Sequence, residues 1–236
     1  MNARDWDRLA TAYASEVCDI FSRDRRGVIA RWLKSRRLLR GRPTVVDVGC
    51  GIGSFFNRYG RHFGRKTGTD HSRRMLQIAA RRCRTLSDCH WRQADAQRLP
   101  PELRDSADLM VCSNVITFVS AAACRRAMRE TVHAAKPGGR LLFILPALES
   151  HDAVVAIETG RPAAKRNHAT AIVRRDDRMQ RFYTAEGARA LAIAAGLQAI
   201  TVQKVWYPWS DEGLTRPPRG HAPPWDWLLT ARRPRL

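Results

Sequence analysis

Thr44-Val45-Val46-Asp47-Val48-Gly49-Cys50-Gly51-Ile52-Gly53-Ser54 is the stretch around which the chain is organised. Val45, Val46 and Val48 form an apolar run of the kind buried on both faces of a parallel sheet. The glycines at 49, 51 and 53 stand at alternate positions. They let the chain turn sharply and bring bare backbone against a ligand. Ser54 then opens an amphipathic run to Phe63, predicting a helix whose amide-rich N-terminus points at that ligand. A strand, a glycine turn and a helix in this order make a nucleotide-type binding turn.

The details decide which nucleotide. A dinucleotide fingerprint places its third glycine three residues after the second, over a pyrophosphate; here it comes two after. Asp47 sits two residues before the first glycine, where a carboxylate repels a pyrophosphate and suits a cationic ligand. That counts against a nicotinamide oxidoreductase. No Gly-Lys-Ser/Thr follows, which excludes the phosphate-cradling loop. The stretch closely resembles motif I of class I S-adenosylmethionine (SAM) methyltransferases, whose ligand carries a sulfonium and an ammonium. The resemblance implies SAM as cofactor, with Asp47, Gly49, Cys50 and Gly51 lining its site.

Composition is compatible with that reading. A chain of 236 residues, 44% hydrophobic, supports one domain with a sizeable core. The apolar stretches are short and broken by Arg, Asp or Gly, so neither a signal peptide nor a membrane span is expected, and a cytoplasmic location is. Six cysteines (18, 50, 83, 89, 112 and 124) show neither CxxC pairs nor zinc-site spacing and read as reduced thiols, with no metal site. The net charge of +20 is almost wholly arginine, with only five lysines. Such charge points to nucleic acid when clustered. Here arginine is spread along an Ala-rich chain, as a GC-rich coding bias produces, and a nucleic-acid partner is not favoured.

Taken in order, residues 1–43 read as an N-terminal helical arm. Trp6, Leu9, Tyr13, Val17 and Ile20 fall at helical spacing, as do Val28, Trp32 and Leu33 beyond the Arg23-Asp24-Arg25-Arg26 break. In families of this resemblance such an arm lies across the SAM pocket, which makes Tyr13 a candidate cofactor contact. Residues 44–146 read as the SAM-binding core. A short second strand, Lys66–Asp70, ends in an acid 19 residues after Gly51, close to the spacing at which a carboxylate takes both ribose hydroxyls of a nucleoside. Ser72 caps the next helix, to about Cys83. His71 is expected beside adenine rather than in catalysis. After strand three (His90–Gln93), the string Asp95-Ala96-Gln97-Arg98-Leu99-Pro100 matches the family segment whose acid bonds the adenine amino group, implicating Asp95 and Ala96.

Strand four, Leu109–Cys112, leads into Ser113-Asn114-Val115-Ile116. Amino-methylases of nucleic acids carry Asp/Asn-Pro-Pro-aromatic there for a flipped base. No proline stands here, which fits a small-molecule acceptor, with Asn114 and Val115 facing the methionine end. Cys112 reads as a buried strand residue. A helix, Ala121–Ala135, is expected to stop at Lys136-Pro137-Gly138-Gly139, before strand five at Arg140–Pro146. Asp47, Asp70, Asp95 and Asn114 all fall at C-terminal strand ends, the ligand edge of a doubly wound sheet.

Residues 147–183 break the alternation and read as a substrate-side insertion: a helix over Leu148–Glu158 and a small hairpin at Ala171–Val173 and Gln180–Tyr183. Glu149, His151, His168 and Tyr183 are candidate bases by position only, since the acceptor decides whether a base is needed. Residues 184–236 supply a C-terminal helix and a β-hairpin ending in Trp225–Leu229. The fold expected is α/β, a doubly wound Rossmann-like sheet of seven strands, the last antiparallel, with helices on both faces. The function expected is methyl transfer from SAM to a small-molecule acceptor. The alternatives are an RNA methyltransferase, on the strength of the charge, or a SAM-binding protein of this fold without catalysis.

Overall fold

A computed structural model describes residues 7, 19–161, 169–175, 178–214 and 220–235. The chain forms a seven-stranded sheet in the order β3-β2-β1-β4-β5-β9-β8, with a separate two-stranded ribbon, β6–β7. The sheet strands are β1 (Val45–Val48), β2 (Lys66–Asp70), β3 (Cys89–Gln93), β4 (Ala107–Ser113), β5 (Ala135–Pro146), β8 (Gln198–Trp206) and β9 (Trp225–Arg232). β1 to β5 run parallel, while β9 runs antiparallel to β5 and to β8. The expected sheet and its reversed end are thus present. Its order reverses direction between β1 and β4, and the C-terminal edge at such a switch point is where this architecture holds ligands.

Strand parity divides the core. Val46, Val48, Met110, Cys112, Leu141, Phe143 and Leu145 pack on one face with helices α5 (Ala121–Ala134) and α7 (Ala185–Ala194). Val45, Leu109, Val111, Leu142 and Ile144 pack on the other with α1 (Ile20–Arg23), α2 (Val28–Ser35) and α3 (Ser54–Tyr59). Central parallel strands are covered on both faces, so their side chains are apolar on both parities; all four β1 residues are buried. Asp47 is the one charge admitted among them.

Two local expectations change. The helix opening at Ser54 ends at Tyr59, and Gly60–His62 finish it as a 3-10 turn. Lys136-Pro137-Gly138-Gly139 is not a free reversal ahead of strand five: β5 begins at Ala135, directly after α5, and pairs with Ala107. The register shifts between Ala107 and Leu109, and Gly138 at φ +78 absorbs the irregularity. A Cβ on Gly139 would stand 2.8 Å from the Lys136 carbonyl oxygen, so only glycine passes.

The insertion consists of α6 (Leu148–Thr159) and the hairpin β6 (Thr170–Arg175) and β7 (Arg178–Tyr183). Leu148, Val173 and Phe182 form its own small core. Arg181 fastens it to the segment after β4: its backbone N–H donates to the Thr117 carbonyl at 2.9 Å. Its guanidinium reaches the carbonyls of Phe118 and Val119 and the Thr170 hydroxyl. Helix α4 (Arg73–Arg82) is capped by the Ser72 hydroxyl, which accepts from the Met75 N–H at 3.1 Å. The Asp7 carboxylate accepts from that hydroxyl and from the Arg74 N–H.

Candidate active site

The three glycines of the opening stretch all adopt left-handed backbone, with φ +65 at Gly49, +51 at Gly51 and +78 at Gly53. At Gly49 the requirement is double. A Cβ there would stand 2.2 Å from a methyl carbon of Val115, so the turn and the segment after β4 touch through missing side-chain volume. The Cys50 N–H continues the β1–β2 ladder to the Thr69 carbonyl at 2.8 Å. The turn is then pinned from β2: the Gly51 N–H donates to Asp70 Oδ2 at 2.9 Å.

Asp70 is therefore more than a ligand acceptor. Its other oxygen, Oδ1, accepts from the Ser72 N–H at 2.8 Å, and His71 Nδ1 lies 3.5 Å from it. One carboxylate thus fixes the glycine turn and the start of α4. A carboxylate offers about four lone-pair sites, so two backbone donors leave acceptor capacity for a ribose. Burial raises the Asp70 pKa, opposed by the hydrogen bonds from Ser72 and Gly51 and by His71.

Asp47 is 2% exposed, and no described residue donates a hydrogen bond to it. Burial, and then the nearby Asp70 carboxylate, push its pKa well above the ordinary value of 3.8. It faces a cleft of about 360 Å3, counted to its open mouth, lined by Asp19, Ile20, Phe21, Asp47, Gly49, Cys50, Ser54 and Ser113. Two carboxylates on one small cleft, with a third behind the turn, make it a site for positive charge.

This arrangement fixes a pH dependence. Asp47 binds its proton more tightly folded than unfolded, so it favours the folded state most fully at low pH. That contribution is lost as pH rises from near 3.8 through the higher folded value. A bound sulfonium reverses the preference, because it favours the ionised carboxylate. Hence the advantage of SAM over S-adenosylhomocysteine, which lacks that charge, is expected to grow with pH across this window and to be flat in Asp47→Asn. Calorimetry of both ligands at several pH values checks it; equal slopes in the two proteins would remove Asp47 from contact with the charge.

The other sequence candidates fall in distinct places. Asn114 follows β4 at φ +55, and its Nδ2 donates to Asp226 Oδ2 at 3.3 Å. Val115 closes on Gly49 as described. Asp95 is exposed and accepts from the Gln97 N–H at 2.8 Å, which shapes its own loop. Ala96 packs against the core beneath that loop. The His71 carbonyl accepts from Gln93 Nε2 at 3.0 Å, which holds this residue beside the β3 end. Tyr13 and His168 lie outside the described residues.

Three candidate bases of the insertion lie among the described residues, and each has contacts of its own. Tyr183 is 1% exposed and donates its hydroxyl to the Ile116 carbonyl at 2.7 Å. Burial pushes its pKa far up, and its hydroxyl props the segment after β4. Glu149 accepts from Trp227 Nε1 at 3.3 Å and from the Ala185 N–H at 3.4 Å, tying α6 to β9 and α7. The His151 ring lies tilted by 45° against Phe182, 4.9 Å between centroids. Cys112 is buried in β4 as expected, and its thiol is pushed far up by burial. Among the described residues the cysteines are free, no His/Cys/Asp/Glu cluster could hold a metal, and no helix is long and apolar enough to cross a membrane.

Sequence reasoning missed Asp19, Ile20, Phe21, Ser113 and Asp226. Asp19 carries a signal, since it caps α1 by accepting from the Phe21 N–H at 3.2 Å, but a cap does not announce a cleft wall. Asp226 carries none: the sheet order alone brings it to Asn114.

Comparison with known proteins places this geometry. Residues 45–139 match the family model described as a methyltransferase domain. The demethylmenaquinone methyltransferase of Tropheryma whipplei (strain Twist) is 34% identical over 99 residues, which is 42% of this chain and 39% of that one. The chain thus spans about two-fifths of the length of the curated relative it matches. A SAM-dependent methyltransferase of Thermotoga maritima, described as a possible histamine N-methyltransferase, superposes with a TM-score of 0.63 at 18% identity, over 97% of this chain and 98% of that one. The magnesium protoporphyrin IX methyltransferase of Synechocystis PCC 6803, solved with bound S-adenosylhomocysteine, gives 0.58 at 15% identity over 87% and 80%. At such identities the structural likeness is one of fold.

Proposed function

We propose that this chain, whose residues 45–139 form a methyltransferase domain of the class I SAM-dependent type, transfers a methyl group from SAM to a small-molecule acceptor. The observation that carries the reading is the pairing of Asp47 and Asp70 across the glycine turn. Asp47 meets the cationic methionine end. Asp70 holds the Gly51 N–H and keeps lone pairs for the ribose. Gly49, Cys50 and Gly51 supply the bare backbone between them. His71, Asp95 and Ala96 stand on the adenine side, Asn114 and Val115 on the methionine side, and Tyr13 belongs to the arm expected to cross the pocket.

In such a transfer the sulfonium makes the methyl electrophilic. The protein's share is to hold the acceptor in line with the S–CH3 bond and to keep water out. Asp47 on the cationic end and Asp70 on the ribose would hold the donor in place. Arg181 supports the wall on the acceptor side through Thr117, Phe118 and Val119.

Isothermal calorimetry on the intact chain is expected to show SAM binding, and a methyl-label assay to show transfer. Arg181→Ala is expected to raise the acceptor KM about tenfold, the order of losing charge-assisted hydrogen bonds worth ~1.5–3 kcal/mol. SAM affinity is expected to stay within a few-fold. If SAM fails to bind the native chain, the reading falls. If Arg181→Ala weakens SAM as much as the acceptor, the hairpin belongs to the cofactor pocket instead. The +20 charge is spread along the sequence rather than gathered in one block, which favours the small-molecule reading over the RNA alternative.

A further inference from the structure

Two facts about Asn114 stand together. Its Nδ2 is committed to Asp226, and its Oδ1 is buried with no hydrogen-bond partner. The carboxylate fixes which way the amide faces, because Asp226 Oδ2 accepts from a donor and would repel the amide oxygen. The orphan acceptor is therefore not a flip that could be exchanged for a better one. A buried oxygen without a donor is destabilising, and native chains retain such atoms where a ligand or water completes them. Asn114 as a residue is only half-buried, so the orphan lies just beneath the surface. It follows Ser113, which lines the cleft, and it stands across the switch-point edge from Asp47.

The surrounding chemistry narrows the missing donor. A carboxamide oxygen accepts a hydrogen bond but does not take up a proton. An alcohol or phenol must give up its proton to attack, which calls for a base; of the described candidates, Tyr183 and Glu149 hold structural hydrogen bonds and the His151 ring lies against Phe182. An amine taken up as its free base, its ammonium proton left to solvent, attacks through its lone pair while keeping an N–H to donate. As its nitrogen gains the positive charge, that N–H becomes a stronger donor. The Asp226 carboxylate behind the amide polarises Oδ1 further toward the charge.

We propose, resting on the methyltransferase reading, that Asn114 and Asp226 form the acceptor-recognition pair. Asp226 is a positioning residue that holds the Asn114 carboxamide so that its Oδ1 accepts from an N–H of a small primary or secondary amine. In the step, the S–CH3 bond breaks with its electron pair going to sulfur. The N–CH3 bond forms from the amine lone pair, the positive charge passes to nitrogen, and the ammonium then releases its proton to solvent. No oxidant, reductant or further reactant enters.

The test uses the full chain with SAM carrying a carbon-13 methyl group. The probes are a panel of small primary and secondary amines beside alcohols and thiols of matched shape, and carbon-13 NMR identifies the atom that receives the label. Transfer to nitrogen is expected. Asn114→Gly deletes the amide at a position whose φ glycine adopts freely. It is expected to lower kcat/KM for the amine about tenfold or more, the usual order for one lost hydrogen bond to a developing charge, and by more than it lowers S-adenosylhomocysteine affinity; an equal loss of the two assigns Oδ1 to the methionine end of the cofactor and overturns the proposal. Asp226→Ala is expected to raise the amine KM comparably, and Asp226→Asn, which keeps an oxygen for Nδ2, to restore most of it; a merely structural aspartate would not show that rescue. Label on oxygen or sulfur overturns the proposal, as does native transfer in Asn114→Gly. A chain that binds S-adenosylhomocysteine yet labels no amine overturns the amine assignment alone. A native chain that binds neither SAM nor its homologue overturns the methyltransferase reading beneath it.

Discussion

Gly49→Val is expected to abolish SAM binding and to lower the unfolding temperature by several degrees. Two penalties act at once. The residue sits at φ +65, where a side chain bearing a Cβ costs ~1–2 kcal/mol, and β-branching makes that worse. The added Cβ would also lie 2.2 Å from Val115, and overpacking of this kind costs a further ~1–3 kcal/mol. Relief requires the turn or the segment after β4 to move, and both border the cleft. A paired variant separates the terms: Val115→Ala added to Gly49→Val removes the clash but leaves the backbone strain. Partial recovery of stability without recovery of binding is the expected pattern, read by thermal unfolding and calorimetry. Native SAM affinity in Gly49→Val would mean that the turn is not a ligand wall.

The sequence shows much of this site because parallel strands buried on both faces announce themselves as apolar runs, and a charge inside one is conspicuous. Asp47 among three valines is such a case, and Asp70 ends the neighbouring strand two residues beyond Gly68, the residue paired with Asp47. What sequence does not show is where these acids spend their lone pairs. Asp70 reads as a ribose acceptor, while the folded chain also has it pinning Gly51 and Ser72. Tyr183 reads as a candidate base from its place in an insertion, and folding buries it against Ile116. Spacing along the chain carries no trace of either bond, because each depends on how elements far apart in sequence pack.

The same limit explains why Asp226 went unseen beside Asn114. Asn114 and Asp226 are 112 positions apart. They meet because β9 returns antiparallel beside β5, setting Asp226 opposite Pro146. The Lys136-Pro137-Gly138-Gly139 string shows the converse. Local turn chemistry there is real, since Gly138 does adopt a left-handed backbone, but tertiary pairing with β4 absorbs the turn as an irregularity within a strand. Local signals state what the backbone is able to do, and the sheet decides what it is used for.

Asp70→Ala is expected to damage both the cofactor site and the fold around it. On the ligand side, losing hydrogen bonds from two hydroxyls to a buried carboxylate should cost on the order of 2–4 kcal/mol, about thirtyfold or more in affinity. On the protein side, the Gly51 and Ser72 N–H groups lose their acceptor at 2.9 and 2.8 Å. Each buried donor so orphaned costs about 1–3 kcal/mol unless water reaches it. The variant is therefore expected to melt earlier as well as to bind SAM poorly. Asp70→Asn sharpens the point. It is nearly isosteric, but its amide nitrogen must face one of the two backbone donors, so it relieves only one of them. Stability intermediate between native and alanine, with ribose binding still lost, is the expected order. The ribose role can be isolated with adenine alone, which makes no use of the carboxylate: its weak binding should change little in Asp70→Asn while that of adenosine falls. Equal losses for adenine and adenosine would show that Asp70 serves the glycine turn only, and that the ribose is held elsewhere.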